Sequence, residues 1–488
     1  DSGAGSLRAA MAAASPGDTI QLSLPLSSEI LLNSPLAVTK DVTIKDVNNV
    51  GWAGLVLNGQ NAVRVLDVNA GVTLTIMHLV IRNGSASGDG GNIRNLGTLV
   101  MSDSNVLGGN ATGNGGNIYN AGTLVISGTW IQGGTAAAGG GIANAAGGRM
   151  TLVSSELSQN TSSDGGAISN DLSSATLRSV SIRLNYVFGV GVNPTGGILN
   201  SSGTVLIYNG TIQSNQGRGL TYLGGFVRLH NTILAFNGQN CGGTAPTDDG
   251  NNLDSANSCG LNVGAPAYSR INTDPLLLPD WSGSPINTGS PAIDAGQNAF
   301  VVDNPVDSWG KPRIINGLVD IGAFEFPEPV VCAGAFLPGD PVYQRVLPGD
   351  PPNALATGEG SLVHYRVIPF HSVTAIYALS MRGSVDGFYT LYGLPSFFSS
   401  PFNPASPLDN ALQAVDDSIG LNPAMTRTLI QGWSYALVAS THANGATGAF
   451  TDTSTGPIPL NDYVNNCVGV ATPTPTSTSV PSTATPTP

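Results

Sequence analysis

The sequence carries little charge, and positive charge is the scarcer kind. Charged residues make up 10% of the 488 residues, and 18 Lys and Arg against 31 Asp and Glu give a formal net charge of −13. A protein that holds nucleic acid needs a basic face to neutralise the phosphates. The composition therefore excludes nucleic acid as an electrostatically bound partner.

Long apolar runs are also absent. No stretch of about 18 apolar residues occurs, which is what a membrane-spanning helix needs, so we predict no transmembrane segment. The chain opens at Asp1 with neither an initiator Met nor a signal peptide, as is typical of a mature, processed product. Few charges combined with abundant Gly, Ser, Thr and Asn favour a β-rich protein that is secreted or displayed on a cell surface.

Cysteine is scarce, with four residues in the whole chain: Cys241, Cys259, Cys332 and Cys467. Four cysteines allow three pairings. The first two lie in one Gly- and Asn-rich stretch and the last two bracket the final folded region, so we predict the disulfides Cys241–Cys259 and Cys332–Cys467. Both suit an oxidising, extracellular setting. A zinc site is the rival, but it lacks a Cys-x-x-Cys pair and a nearby His.

What the sequence does contain is one short phrase that recurs between residues 90 and 237. It begins with Gly-Gly, continues with Ile, and closes with an asparagine at Asn95, Asn120, Asn144, Asn170 and Asn200, at intervals of 25, 24, 26 and 30 residues. A short alternating run follows most of the phrases, for example residues 98–101. A period of this length is the signature of stacked repeats.

Each repeat contains strands that are too short to bury a face alone. They therefore stack on the strands of neighbouring coils, about 4.8 Å apart, as parallel sheets. The repeating asparagines are suited to a structural ladder in which each amide bonds the same group one coil away. We predict an all-β chain dominated by a right-handed parallel β-helix, a pectate-lyase-like solenoid of roughly ten coils. A leucine-rich repeat would require a helical or Leu-x-x-Leu-x-Leu half, which is missing.

The regions outside the repeats differ in composition. The amphipathic stretch 7–14 is predicted as a helix that covers the first coil and its open strand edges. Longer alternating strands after Cys332 predict a β-sandwich, and the final Thr- and Pro-rich stretch predicts an extended tail. The predicted regions are an N-terminal cap (1–24), β-helix repeats (25–240), the last part and cap of the β-helix (241–326), a linker (327–331), a sandwich (332–470) and a tail (471–488).

Several stretches resemble known families. Ser6-Leu7-Arg8 through Gly17-Asp18-Thr19-Ile20 resembles the N-terminal cap of bacterial surface β-helices, and the coils resemble the polymorphic outer-membrane-protein type. The succession of 274–277, 289–296, 310–313 and 319–325 resembles the choice-of-anchor Q family of secreted β-helix proteins. Residues 388–392 and 432–438 resemble the bacterial pre-peptidase C-terminal domain, which implies a jelly-roll module.

Many β-helix proteins cleave polysaccharides, a chemistry that needs paired carboxylates or a calcium cluster at one sugar bond. The acids of the central repeats do not recur at the same place on successive coils, which indicates solvated surface. We therefore predict no catalytic residue, no cofactor and no metal site, and a protein that is not an enzyme. The acids considered between residues 85 and 240 are Asp89, Asp103, Glu156, Asp164 and Asp171.

Other polar and aromatic groups have structural interpretations. Residues 248–251 could hold calcium, but turn chemistry explains them equally well. The two histidines in strand-like runs, His78 and His230, are predicted as wall residues. Four tryptophans could include a platform for stacking sugars, but they are dispersed in the sequence: Trp130, Trp281, Trp309 and Trp433.

The function favoured by these observations is structural. We predict a secreted or cell-surface protein that assembles with copies of itself into a filament or sheath, through its tail, strand edges or solenoid ends, or that serves as an adhesive stalk. The alternative is a glycan-active lyase or hydrolase, or a glycan-binding protein, which fold analogy alone supports. A groove that contains acids and aromatics would favour the alternative, whereas a large contact between copies would favour assembly.

Overall fold

The protein is described by a computed structural model, in which the chain forms two compact units, Asp1–Phe326 and Pro327–Pro488. The first unit is a parallel β-helix of about nine turns, and the second contains antiparallel sheets. The predicted fold class is therefore confirmed. The structure describes residues 2–25, 27–48, 54–188, 194–278, 285–301, 303–315, 317–327, 330–358, 361–371, 375–384, 386–394, 401–419, 422–430 and 433–456.

The largest sheet of the β-helix, called here the large sheet, has 17 strands. Most coils contribute two strands to it, and two long strands, Ile168–Arg178 and Thr195–Tyr208, span both positions. The remaining strands are Asp18–Leu22, Leu36–Val38, Val42–Asp46, Leu66–Val68, Thr73–Met77, Ile93–Asn95, Thr98–Ser102, Ile118–Asn120, Thr123–Ser127, Ile142–Asn144, Arg149–Val153, Arg218–Tyr222, Phe226–His230, Gln239–Gly243 and Thr247–Asp248.

Two further parallel sheets complete the wall. The second sheet comprises 11 strands: Glu29–Leu31, Leu55–Asn58, Leu79–Arg82, Asn105–Leu107, Trp130–Gln132, Glu156–Ser158, Ser181–Arg183, Thr211–Gln213, Ile233–Ala235, Leu253–Asp254 and Arg270–Ile271. The third sheet comprises five: Ser85–Ala86, Asn110–Ala111, Thr135–Ala138, Thr161–Asp164 and Tyr186–Val187. An antiparallel pair, Ile314–Ile315 and Leu318–Val319, follows the last coil.

The core is made of apolar side chains stacked from coil to coil. In the strand Thr98–Ser102, Leu99 and Met101 are buried and their neighbours are half-buried, as the period of two along a strand requires. Leu99 is in register with Leu74 before it and Leu124 after it, so the same inward position is apolar in each coil. These side chains stack in one interior column, and the stacking removes them from water.

The first coil is covered by the helix Leu7–Ala13. Ser6 caps it by accepting a hydrogen bond from the amide of Ala9 at 3.2 Å. Leu7 and Met11 lie one turn apart on the same face and are buried in the core. The cap therefore buries apolar surface at the end of the solenoid.

The asparagines of the repeat form a continuous interior ladder. Each Nδ2 donates to the Oδ1 of the asparagine one coil further on, at 2.7–2.8 Å, and each side chain is buried. The last amide donates to the carbonyl of Gly224 at 2.9 Å. Because an unpaired buried amide is costly, this ladder holds the coils in one register. Its members are Asn95, Asn120, Asn144, Asn170 and Asn200.

A second ladder, not predicted from the sequence, runs beside the first. Its amides are linked in the same way at 2.8–3.1 Å. The ladder passes from the Gly-Gly-Asn phrase to a different asparagine, Asn160, so no single position in the repeat identifies it. Its members are Asn92, Asn117, Asn160, Asn185, Asn215, Asn237 and Asn240.

A disulfide joins Cys241 and Cys259, 18 residues apart, near the end of the β-helix. Closing a loop of this length restricts the unfolded chain and stabilises the fold by about 3 kcal/mol. Cys332 is also disulfide-bonded. Its predicted partner Cys467 lies outside the described residues.

The second unit contains two five-stranded antiparallel sheets. Aromatic side chains fill its interior; Phe402, for example, packs against Tyr343 and Tyr392 with ring centroids 5.6 Å and 4.8 Å apart. The first sheet contains Val330–Phe336, Gly448–Thr455, Ala375–Gly383, Asn422–Leu429 and Asp417–Ile419. The other sheet contains Val342–Gln344, Leu362–His371, Ser434–Thr441, Gly387–Leu394 and Ala411–Val415.

Within the parts of the chain that the structure describes, no helix has the length and the apolar character needed to cross a membrane.

Candidate functional site

The candidate site lies at a corner that recurs in each coil, between a strand of the large sheet and the next strand of the second sheet. A single residue with positive φ makes this turn, as Asp103 does between Thr98–Ser102 and Asn105–Leu107. The left-handed conformation favours Asn, Asp and Gly. We call these residues the corner positions: His78, Asp103, Gly128, Ser154, Ser179, Asn209, Asn231 and Asn251.

After the last coil the chain folds back along these corners. We call residues 295–326 the return segment. Asn251 donates to the carbonyl of Ala295 at 2.9 Å, and Asn231 both donates to and accepts from the backbone of Gln297 at 3.0 Å and 2.9 Å. The corner side chains therefore hold the backbone of the return segment, which runs opposite to the order of the coils.

The return segment continues towards the N-terminal coils. Asn209 donates to the carbonyl of Phe300 at 3.1 Å, and Ser179 donates to that of Val306 at 3.1 Å. Asn304 donates to the hydroxyl of Ser154 at 3.3 Å. Asn304 also donates to the hydroxyl of Ser179 at 3.0 Å. All these contacts lie on coils that precede the coil of Asn231.

A tight turn at Ser308-Trp309-Gly310 ends this run. One carboxylate oxygen of Asp307 accepts from the amides of Trp309 and Lys311, both at 2.8 Å, and the other accepts from the amide of Glu325 at 3.2 Å. The ring of Trp309 packs against Phe324, with centroids 4.7 Å apart. The turn is therefore fixed by a buried carboxylate.

The return segment contains a buried charge cluster. Arg313 is fully buried and donates to the carbonyl of Asp320 at 2.9 Å, and its guanidinium is 3.7 Å from Glu325. Burial raises the pKa of Glu325 to about 9 and that of Asp320 to about 6, against the opposing effect of Arg313. Burial also raises the pKa of Asp307. Glu325 is thus the carboxyl that keeps its proton at neutral pH.

Beyond the turn the corner forms an open groove of about 600 Å³. A volume in this range suits a small ligand. It is lined by Asp103 and Gly128 of the corners, by Asn105 and Trp130 of the second sheet, and by the Trp309 turn, in which Ser308 donates to the carbonyl of Ser155 at 3.5 Å. The described residues that line the groove are Asp103, Asn105, Ser127, Gly128, Trp130, Val153, Ser154, Val306, Ser308, Trp309 and Gly310.

Two tryptophans that are far apart in the sequence line this groove. Trp130 points outward from its strand and is 39% exposed, while Trp309 comes from the return segment. The fold therefore brings this pair to one groove, although the tryptophans are dispersed in the sequence. An exposed indole face is a typical surface for stacking against the apolar face of a sugar. Trp433 lies in the other unit beside Tyr435, and Trp281 lies outside the described residues.

One carboxylate faces the groove. The side chain of Asp103 is 61% exposed, and its carboxylate lies 3.7 Å from Nε2 of His78 at the preceding corner. His78 occupies a corner position and not the interior of a strand. The sequence shows Asp103 only as an isolated surface acid. In the folded chain it lines the groove together with residues of the return segment.

The other acids considered have local partners or lie elsewhere. Asp89 accepts from the amide of Asn114 at 2.7 Å, and Glu156 is buried against Arg183 at 2.9 Å. Burial raises the pKa of Asp164, which lines a second, polar groove of about 320 Å³ together with Asp171.

Asp248 makes turn contacts, with hydrogen bonds from Gly250, Asn252, Asn262 and Ser269 at 2.6–3.1 Å. These bonds occupy both carboxylate oxygens. Among the described residues, no group of three or more His, Cys, Asp or Glu side chains could hold a metal ion.

His230 belongs to a packed aromatic stack on the wall. Its ring lies 4.3 Å from that of Tyr208, and Arg178 covers the same tyrosine at 4.5 Å. Nε2 of His230 is 3.2 Å from Asp249, and burial lowers the pKa of the imidazole. These contacts show that His230 packs within the wall of the β-helix. Phe300 of the return segment packs on the same ring, with centroids 4.5 Å apart.

Neither a protein-family model nor a curated protein matches this chain. Six chains of solved structures do. One is the crystal structure of the enzymatically active domain of tailspike protein 4 from bacteriophage CBA120, with 10% identity and a TM-score of 0.22. The match covers 90% of this chain and 64% of the length of that chain.

That match corrects one prediction. Because the matched chain is an enzymatically active domain, the prediction that this protein is not an enzyme is contradicted, and we do not retain it. The likeness names no substrate and no site residue for this chain. Assembly into a filament or sheath, through the tail, the strand edges or the solenoid ends, stays a prediction, and the tail at 471–488 lies outside the described residues.

Proposed function

We propose that this protein binds a glycan in the groove formed by Trp130, Trp309 and Asp103. The observation that carries the proposal is the meeting of two tryptophans from distant parts of the chain at one concave site. Indole faces supply apolar area for sugar rings, and polar neighbours such as Asn105 and Ser154 supply hydrogen-bonding groups for hydroxyls.

The groove chemistry favours neutral glycans. Asp103 is the one charged side chain among its lining residues, and the protein as a whole carries a formal net charge of −13. An anionic sugar would meet a carboxylate with no basic group in the lining to offset it. We therefore propose that the groove binds uncharged glycans, and we expect acidic glycans to bind with lower affinity.

Replacing Trp130 tests the proposal directly. We expect Trp130→Ala to weaken binding to a neutral glycan about 30-fold, because loss of a buried tryptophan at a binding site costs roughly 2 kcal/mol. Trp130→Phe should recover part of the affinity, since it restores an aromatic face. Binding is measured by titration calorimetry with hits from a glycan array.

The matched control is Phe226→Ala, which removes a 67% exposed aromatic residue of the large sheet outside the groove. This variant should bind as the unaltered protein does. Equal affinity of Trp130→Ala and the unaltered protein would refute the groove as the binding site.

Asp103 is the group in the groove that could transfer a proton to or from a bound sugar. If the groove cleaves a bound oligosaccharide, Asp103 supplies one of the two carboxylates that this chemistry uses and the second comes from outside the lining, so Asp103→Asn should release new reducing ends at least about 100-fold more slowly than the unaltered protein. Affinity measured by calorimetry shows whether the variant still binds. If the unaltered protein releases no reducing ends, the groove binds glycan without cleaving it.

A further inference from the structure

We infer that the groove receives the end of a glycan chain and not an internal segment. The inference rests on the proposed function, and it adds the direction and the mode of binding. Its basis is that the return segment and the groove occupy one continuous channel along the corner positions, so the segment blocks one end of the site.

The corner positions define this channel. Each corner amide bonds a carbonyl of the next coil, for example Asp103 to Ser127 at 3.1 Å and Ser154 to Arg178 at 2.9 Å, so the corners are equivalent and lie in one line. The return segment fills the line from Asn251 to Ser154. The groove continues it over Gly128 and Asp103.

The occupied part of the channel already accommodates a length of polypeptide, which includes the 3-10 helix Asn298–Phe300. Its occupied part holds the backbone of the return segment through side-chain hydrogen bonds from successive corners, as at Asn209 and Asn231. The groove lies over the corners Gly128 and Asp103, and the line of corners continues to His78, which is two coil spacings or about 10 Å along the helix axis from Gly128. A linear chain that follows this line meets the turn at Ser308-Trp309-Gly310.

This end wall is rigid. Asp307 fixes the turn through three backbone amides and is itself fully buried, and Trp309 packs on the buried ring of Phe324. A chain that extended past the turn would have to displace the return segment from the corners. The terminal sugar should therefore lie against Trp309, with the following sugars beside Trp130 and over Asp103.

The test asks whether binding depends on the number of chain ends or on the mass of polysaccharide present. Three soluble neutral polysaccharides, pullulan, dextran and mixed-linkage β-glucan, are each tested intact and after limited acid hydrolysis to about one tenth of the chain length. If each protein molecule occupies one chain end, the mass concentration for half-saturation should fall about tenfold after hydrolysis, since affinity per end is unchanged.

Two variants separate the end wall from the side wall. Trp309→Ala should reduce the tenfold difference between hydrolysed and intact polymer, because it removes the surface against which the terminal sugar lies. Trp130→Ala should weaken binding to both forms and leave their ratio unchanged. A ratio unchanged in Trp309→Ala would argue against the end wall.

The outcomes distinguish the two proposals. Half-saturation at the same mass concentration before and after hydrolysis would show binding to internal segments, which overturns this inference and leaves glycan binding intact. If neither form of the three polysaccharides binds, the proposed function fails and the inference fails with it.

Discussion

Replacing Asn144 by alanine is expected to lower the free energy of unfolding of the β-helix by about 3 kcal/mol. Asn144 is at the centre of the interior ladder and is 1% exposed. Its amide donates to Asn170 at 2.8 Å and to the carbonyl of Ser174 at 3.0 Å, and its oxygen accepts from Asn120 at 2.8 Å. Alanine removes all three hydrogen bonds. The groups of Asn120, Asn170 and Ser174 that made these bonds then lose a partner in the buried interior, where water can hardly replace it.

The position of Asn144 in the middle of the solenoid increases the expected loss of stability. A coil of a solenoid is stabilised only by its two neighbours, so a break in the middle of the ladder weakens the contact between the two halves. The measurement is guanidinium-induced unfolding followed by circular dichroism. Asn110→Ala is the matched control, because Asn110 is an exposed asparagine of the same repeats and should change the unfolding free energy by less than about 0.5 kcal/mol. Equal unfolding free energies of Asn144→Ala and Asn110→Ala would contradict the claim that the ladder stabilises the β-helix.

Raising the pH from 5 to 8 is expected to destabilise the β-helix by roughly 2–4 kcal/mol through the buried carboxyl of Glu325. Burial raises its pKa to about 9, far above the value of about 4.3 for an exposed glutamate. Between these values the folded state binds a proton that the unfolded state has lost. Stability therefore falls as the pH rises, by at most about 1.4 kcal/mol per pH unit for one proton.

Glu325→Gln tests this assignment. The amide resembles the protonated acid and can still accept the hydrogen bond that the amide of Asp320 donates to Oε2 at 3.2 Å. We expect the variant to lose most of the pH dependence between pH 6 and 9 and to be more stable than the unaltered protein at pH 8. The remaining slope below pH 7 should come from Asp320, whose pKa is raised to about 6.

The control for Glu325→Gln is Asp303→Asn, which alters an acid of the return segment whose side chain is 81% exposed. It should leave the slope unchanged. Stability that is constant or rises from pH 5 to 8 would mean that Glu325 is ionised and paired with Arg313, and would contradict the assignment. Because Glu325 and Trp309 share the return segment, loss of stability at high pH should also weaken glycan binding.

The periodic part of this protein could be predicted because each coil repeats the same pattern of buried apolar and asparagine positions. The alternation around Leu99 and Leu124 places apolar groups inward, and the asparagines from Asn95 to Asn200 recur at nearly the coil length. Contacts between neighbouring coils therefore have a nearly regular sequence separation of 24 to 30 residues, which is visible in the chain itself. The cysteine pair of residues 241 and 259 was also readable, since both lie in one short stretch.

The second asparagine ladder shows where periodicity fails as a guide. Asn92 and Asn117 follow the Gly-Gly phrase, but Asn160 takes over from the end of a different strand. The side chains meet in space although they occupy different places in the repeat. The bond from Asn117 to Asn160 at 3.1 Å is a tertiary contact that sequence spacing does not record.

The candidate site depended on the tertiary structure alone. By itself, the sequence determined a stacked β-solenoid with an asparagine ladder and an acidic, weakly charged surface. The return segment has no period and runs against the order of the coils, so its contacts with Ser154, Asn209 and Asn231 follow no repeated separation. Only its folded path brings Trp309 to Trp130 and makes an isolated surface acid part of the lining of a groove. The burial that raises the pKa of Glu325 arises in the same way, because desolvation depends on what the chain packs against and not on its neighbours in sequence.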